Sequence, residues 1–564
     1  MRAATSTEPV RPGSPWAWVT PVVLLALAVR LVGLGHAPHF DEYYHLLAAE
    51  SLVQDGDLCI AECLGPYDRG ALYSVLVAAV IAIFGTSMVA GRLVSVAAGV
   101  LLVAAVSWWT WRQAGRTAGV AAGLLLGLAP EAVYISQFLR FYAWHALLVW
   151  VGAVALFGAV HSERAKRASR RWMLVGVGLL ALLGAFSLQI TTLIAGVGLV
   201  VWFALDVGLG WGRREWHRHP RRLAACAAGL LVVGAAALAW MGSSGLLARL
   251  WAMYRHVNLS TAYRADDIRY YHNLLMTDYP TFYGLLPVAF VVALWRRPSA
   301  ALFTGSVFGA ALVLQSGGGF KAERFLFYAI PFFFALWGIT LGAVLPALAK
   351  AAQSGLARWL AEAPGSRRIR AGSVLVLGLA AFCVLAVNSA YNTTFKMVTV
   401  SDAEWPPTKP RYRGRPEWRP ALATLRTLRD STDVLVTTSA VKAVHYLGGT
   451  DVELGASRLY QGSGFAPDFA LDPRTGIPTV KSPEAMTRLL RCYSSGLVII
   501  ESHGWETEWA VPPETAAYIA ANMREVPLPD GSDLRAFVWV TDPATSEACV
   551  QPPLSDRSDA RAEG

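Results

Sequence analysis

The sequence is short of charge. Asp, Glu, Lys and Arg make up 16% of its 564 residues, against about 25% in soluble domains, so an ordinary water-soluble protein is excluded. Cysteine is scarce too, six in all, which rules out a disulfide-built scaffold. Composition likewise excludes a disordered or collagen-like chain. No internal repeat of fixed period is present, and no Gly-rich nucleotide fingerprint follows any strand-like run.

The excess is apolar. Residues of the AVILMFWYC set make up 55% of the chain, and counting the 50 Gly in place of the 19 Tyr raises the apolar share to about 60%, against about 45–50% in soluble domains. Mean hydropathy is +0.41, an average over very apolar runs and a more polar C-terminal third. The net charge of +10 comes mainly from short basic clusters between apolar runs. That is a topology signal and not a nucleic-acid footprint, so no nucleic-acid partner is expected.

A membrane-spanning helix needs about 20 predominantly apolar residues. Runs of that kind start near Trp16, Arg92, Gly119, Ala143, Trp172, Thr191, Arg222, Thr281, Ala300, Arg324 and Gly372, which predicts an α-helical polytopic membrane protein of about 11 spans. The apolar run 71–85 is short and reads as an interfacial helix. With that choice and a cytoplasmic N-terminus, segments 112–116, 161–171, 206–222, 296–297 and 347–370 fall inside and hold most of the basic clusters, as the positive-inside rule requires. The first run, preceded by basic residues, is read as a retained anchor and not a signal peptide, from its length and lack of a convincing cleavage site.

After residue 388 the pattern changes to alternating helix-like and strand-like stretches. The strands are expected at 433–438, 497–501 and 535–540, with helices at 415–429, 441–447, 483–492 and 513–523. A membrane domain over 1–388 and an extracytoplasmic three-layer α/β domain over 389–564 follow. Cys226 and Cys383 fall in spans; Cys59, Cys63, Cys492 and Cys549 face outside, where Cys59–Cys63 and Cys492–Cys549 disulfides and free thiols are equally compatible.

Four places near the outer face carry chemistry. Asp41 and Glu42 are adjacent carboxylates after the first span, with Arg30 near that span's outer end; neighbours on a helix point about 100° apart, so one can face substrate while the other holds a metal or an arginine. His45 shares a helical face with Asp41, a weak ligand pairing whose simpler reading is an interfacial histidine. Arg140 and Tyr142 enter a span from outside, where guanidinium and phenol can bind phosphate; snorkelling is the simpler account of Arg140. The loop 250–280, with Tyr263, Asp266, Asp267 and His272 among many polar and aromatic residues, suits a lid or acceptor site, or else a solvated connector. Lys321 and Arg324 reach the outer face beside a triple glycine, positioned for a lipid-linked phosphate or for headgroup anchoring.

Arg30 with Asp41-Glu42, the stretch from Gly85 to Arg92, Ser136 to Tyr142, and Arg324 to Pro331 together resemble the GT-C glycosyltransferases. The likeness is to the family 39-like branch that includes protein O-mannosyltransferases and lipid A aminoarabinose transferases, and it covers residues 16–345. It implies inverting transfer of a sugar from a polyprenyl-phosphate donor to a glycan, lipid or protein acceptor outside the plasma membrane. Asp41, with Glu42, would serve the acceptor hydroxyl; Lys321 and Arg324, with Arg140, Arg30 and Tyr142, would hold the donor phosphate. Some relatives use a divalent metal (Mg, Mn or Zn), for which Asp41, Glu42, Glu131 and His272 form the ligand pool. Glu131 is offset from the second-loop aspartate of many relatives, and no Trp-Trp-Asp signature of oligosaccharyltransferases is present. The rival reading is a transporter, flippase or non-catalytic binder of a polyprenyl-linked lipid, which predicts inverted repeats that the sequence lacks. Rich Ala, Arg and Gly usage hints at a GC-rich bacterial source.

Overall fold

The structure is a computed structural model, and it describes residues 16–61, 66–161, 168–208, 267–319, 321–359, 387–399, 416–455, 468–472, 474–507 and 510–541, with isolated positions between 236 and 248 and at 378. The membrane unit begins with α1 (Trp16–Leu31), α2 (Phe40–Gln54), α3 (Ala71–Phe84), α4 (Met88–Ala114), α5 (Arg116–Gly127), α6 (Pro130–Ser136), α7 (Tyr142–His161), α8 (Ala168–Leu188) and α9 (Thr192–Trp202). It continues with α10 (Tyr270–Asp278), α11 (Leu286–Arg296), α12 (Pro298–Gly317), α13 (Ile330–Trp359) and α14 (Ser389–Thr399).

Local chemistry sets these boundaries. Ser87 caps α4 by accepting from the Ala90 amide at 3.1 Å, and Gly115, at φ 92°, ends it. Gly70 opens α3 at φ 69°, and a Cβ there would run into the Phe141 ring. Pro130 starts α6 as a first-turn proline, where its missing N–H costs nothing. The α5–α6 junction bends by 63°.

Among the described residues five helices are long and apolar enough to cross a bilayer, or six if the bent α5–α6 pair is one span. The described helices therefore do not confirm a count of eleven. The runs starting near Trp16, Thr191 and Thr281 fall on shorter apolar helices. The last is cut because Pro280–Gly284 and α11 are separate helices, each opened by a proline; the second passes into a π-turn at Phe203–Gly208. The runs starting near Arg222 and Gly372 lie outside the described residues. Helix α3, with 14 residues, is about 21 Å long, less than the roughly 30 Å of a bilayer core.

One apolar core runs through the membrane unit, and Ala390 of α14 is part of it. Thr394 also donates to the Leu128 carbonyl at 2.7 Å, so residues 389–399 pack with the membrane helices and the sheet domain follows later. That domain is a six-stranded mixed sheet of β1 (Val434–Thr437), β2 (Val452–Leu454), β3 (Thr479–Val480), β4 (Ser495–Glu501), β5 (Arg524–Val526) and β6 (Leu534–Val540). Its order is β3-β2-β1-β4-β6-β5. The first four are parallel, and β6 and β5 are antiparallel to their neighbours.

Helices α15 (Leu422–Asp430) and α16 (Ala440–Leu447) cover one face of the sheet; α17 (Pro483–Cys492) and α18 (Pro513–Asn522) cover the other. Alternation in β1 feeds both cores, with Val434 and Val436 on one side and Leu435 on the other. The three strands expected from sequence are β1, β4 and β6. Cys59 and Cys492 are each disulfide-bonded; Cys63 and Cys549, the partners considered from sequence, lie outside the described residues.

Candidate active site

The site is built on the first turn of α2. His39 caps that helix by accepting from the Asp41 amide at 3.1 Å, and Glu42, three residues on, folds back to accept from the His39 amide at 2.8 Å. This is a capping box with histidine in the serine position. The box turns Glu42 into the protein, where Arg92 of α4 holds it with two bonds of 2.8 Å each. The Leu139 amide donates to the same carboxylate at 2.9 Å. Arg92 also donates to the carbonyls of Leu34 and His36. Both members of the pair are fully buried. Glu42 therefore ties α2, α4 and the segment after α6 together, and neither of its oxygens is available to a substrate.

Asp41 faces the other way. Its side chain is 14% exposed, with Oδ2 at 4.0 Å from Arg324 Nη2 and 3.9 Å from His39 Nδ1. Arg140, two residues before α7, donates to the Asp41 carbonyl at 3.2 Å and to the Tyr67 hydroxyl at 3.3 Å. It is buried, and its Nε has no hydrogen-bond partner among the described residues. The buried Tyr142 hydroxyl is likewise without one among the described residues. The Arg324 guanidinium lies 6.0 Å from the Tyr142 ring.

Burial alone would push the Asp41 carboxyl up. The Arg140 guanidinium, with His39, Arg324 and Arg69, outweighs it and holds the carboxyl well below the usual carboxylate range. His45 is pushed well below the ordinary histidine value by its burial and by Arg140 and Arg69, so it is a neutral ring, paired with Ser74 at 2.8 Å. The site thus joins an ionised carboxylate, two guanidiniums and a phenol, a set matched to a phosphate beside a hydroxyl.

The other residues singled out from sequence lie apart from this cluster or bind their own structure. Arg30 donates to Ser136 at 3.0 Å and to the carbonyls of Ala26 and Gly127, at 3.0 and 2.9 Å, closing the end of α5 at the bend. Lys321 is buried and donates to the carbonyls of Ser316 and Gly318, at 2.7 and 2.6 Å, capping α12. Glu131 accepts from the Tyr279 hydroxyl at 2.5 Å. His272 pairs with the Tyr283 hydroxyl, and the Asp267 side chain accepts from the Arg269 amide at 2.9 Å. Tyr263 and Asp266 lie outside the described residues.

The described residues do not by themselves assemble a divalent-metal site. Among the described residues no three His, Cys, Asp or Glu side chains come together as a ligand set. Of the candidates, Asp41 faces guanidinium groups, Glu42 is bound by Arg92, and Glu131 and His272 are bonded to different tyrosines.

Sequence reasoning missed Tyr67 and the role of Arg92. Arg92 reads as the start of an apolar run, although an arginine at membrane depth is a functional candidate in its own right; its partner is 50 positions away. Nothing near Tyr67 in the chain marks it as a partner of Arg140.

The chain shares its fold, across most of its length, with solved GT-C glycosyltransferases. The solved structures with this likeness include ArnT from Cupriavidus metallidurans bound to undecaprenyl phosphate, with a TM-score of 0.60 and 16% identity over 93% of this chain and 98% of that one. The apo form of ArnT gives 0.59 and 17% over the same shares. AglB from Archaeoglobus fulgidus, in complex with an inhibitory peptide and a dolichol-phosphate, gives 0.55 and 12% over 87% of this chain and 70% of that one. No family model matches the sequence, and no curated protein does either.

Proposed function

We propose that the protein is an inverting glycosyltransferase that moves a sugar from a polyprenyl-phosphate donor to an acceptor hydroxyl at the outer face of the plasma membrane. The observation that carries this is Asp41, ionised and partly exposed, set against Arg140 and Arg324 in a chain with the ArnT-like fold. Arg140 and Arg324 hold the donor phosphate, with the Tyr142 hydroxyl as a further donor. The acceptor oxygen attacks the anomeric carbon from the face opposite the phosphate, inverting it. The bond from that carbon to the phosphate oxygen breaks, its electron pair stays on the phosphate, and the acceptor proton passes to Asp41.

A carboxyl with so low a pKa is a weak base before the donor arrives. The bound phosphate neutralises the guanidinium field that depresses it, so donor binding raises the basicity of Asp41 at the moment it is used. Stabilising the leaving phosphate is then the main task of the two arginines.

The test is transfer of labelled sugar from synthetic polyprenyl-phosphate donors by the purified protein, beside Asp41→Asn, with and without a chelator. Transfer that is lost in Asp41→Asn and indifferent to the chelator supports the reading. A donor that binds but is consumed by neither protein, across several sugars, points instead to a transporter or a non-catalytic binder.

A further inference from the structure

We propose that the C-terminal domain is a brace for the catalytic carboxylate, and that Arg474 and Tyr446 are positioning residues for Asp41. This rests on the reading of Asp41 as the proton acceptor.

Three struts join the sheet domain to the start of α2. The Tyr43 hydroxyl, two residues from Asp41, donates to the Tyr446 hydroxyl of α16 at 3.0 Å. The Tyr446 ring stacks on Trp418, whose indole N–H donates to Glu501 at 3.2 Å, and Glu501 is paired at 2.8 Å with the buried Lys442. The strut is thus anchored in a buried polar network of the sheet domain. The second strut is Arg474, held by Asp472, with its guanidinium 4.5 Å from the centre of the Tyr44 ring. Tyr44 in turn stacks on Tyr67, and Tyr67 accepts from the same Arg140 Nη1 that donates to the Asp41 carbonyl. The third is Arg419, which donates to the Gly35 carbonyl, just before α2, at 3.2 Å.

The place of these struts follows from the sheet. In open α/β sheets the functional crevice lies at the carboxyl ends of the strands, where the strand order reverses. Here that point lies between β1 and β4, because β1 leads through α16 to β2 on one side and has β4 on the other. Val441 of α16, just after β1, packs into the apolar cluster formed by Tyr43, Tyr44, Leu47 and Tyr67. The edge that elsewhere receives a ligand receives α2.

The experiment uses the full-length protein in nanodiscs, comparing Arg474→Ala, Arg474→Lys and Tyr446→Phe with wild type by hydrogen exchange over residues 40–54 and by donor kinetics. Expected for Arg474→Ala and Tyr446→Phe are faster exchange in the first turn of α2 and a fall in kcat on the order of ten- to hundredfold, the effect of roughly 1 Å of misplacement. KM for the donor stays within about twofold of wild type, as a change confined to the chemical step requires. Arg474→Lys, which keeps a cation over the ring, recovers most of both. Unchanged exchange in Arg474→Ala overturns the brace, and so does faster exchange with kcat unchanged, since α2 would then be held without Asp41 being positioned. Faster exchange in a protein whose wild type transfers no sugar leaves the brace standing and removes the transferase reading instead.

Discussion

At the scale of single residues, the adjacent carboxylates have been given opposite duties by one turn of helix. Asp41→Asn keeps the shape of the site and removes its charge and basicity, and transfer is expected to fall by about 10²–10⁴-fold, with a loss of melting temperature at neutral pH smaller than that of Glu42→Gln. Glu42→Gln does the reverse: it leaves the Arg92 guanidinium buried without its anion, which costs about 3–5 kcal/mol, so the variant is expected to melt well below wild type or fail to accumulate. Measuring transfer and thermal unfolding on both variants separates the roles, and two variants with equal losses in both would refute the division. The pH dependence has a definite sign. A carboxyl depressed in the folded state contributes stability above its unfolded pKa, near 3.9, and loses it only as pH falls through the lower folded value. The stability difference between wild type and Asp41→Asn is therefore expected to be constant from pH 8 to about pH 5 and to shrink below about pH 4; a difference that disappears near pH 6 would mean that Asp41 is not held by Arg140 and Arg324.

At the scale of elements, the bend between α5 and α6 is the joint on which the site hangs, because it delivers residues 137–142 to α2. Arg30 fills the gap left where the helical hydrogen bonds stop, and Gln137 donates to the carbonyls of Arg30 and Val32, at 2.9 and 2.6 Å. Gly99 of α4 passes so close that a Cβ would collide with the Ser136 hydroxyl and crowd Arg30 Nε at 3.2 Å. Gly99→Ala is accordingly expected to cost about 1–3 kcal/mol, the usual penalty for overpacking, read as a lowered melting temperature; an unshifted melt would show that the joint is slack. Elements of this kind explain what was legible in advance. The sequence marks Asp41, Arg140 and Arg324 because charge beside apolar runs is rare and costly. It also suggests phosphate binding by Arg30 and Lys321, yet both are spent on carbonyls within a few residues of helix ends, a use that only the three-dimensional path of the backbone reveals. The long strands β4 and β6 stand out by their apolar runs. By contrast β2, β3 and β5, of three, two and three residues, are too short to carry any alternation and exist because neighbours pair with them.

At the scale of the whole molecule, polarity is segregated between the two ends of the helical bundle. Helix α7 starts at the site with Tyr142 and ends at His161, which pairs with Asp206 at 3.0 Å; Ser299 at the start of α12 donates to the same aspartate at 3.0 Å. Arg116 lies 4.1 Å from the Trp18 ring at the start of α1. Arg112, Arg170, Arg171, Arg296 and Arg297 stand at helix ends that the antiparallel succession brings to this same far side. The end that holds Asp41 also carries the sheet domain, through Tyr446, Arg474 and Arg419. Lys and Arg are retained on the cytoplasmic side of membrane proteins, which predicts the cationic end inside and the site and sheet domain outside. Single-cysteine labelling tests this in a chain whose six native cysteines are replaced by Ser, produced in a bacterial plasma membrane. Glu514→Cys on α18 is expected to react with a membrane-impermeant maleimide in intact cells, and Arg170→Cys at the start of α8 only after permeabilisation. Labelling of both from one side would break the alternation of α7 and α8 across the bilayer. A reversed pattern would turn the site toward the cytoplasm, where the acceptor would have to be a cytosolic glycan, lipid or protein.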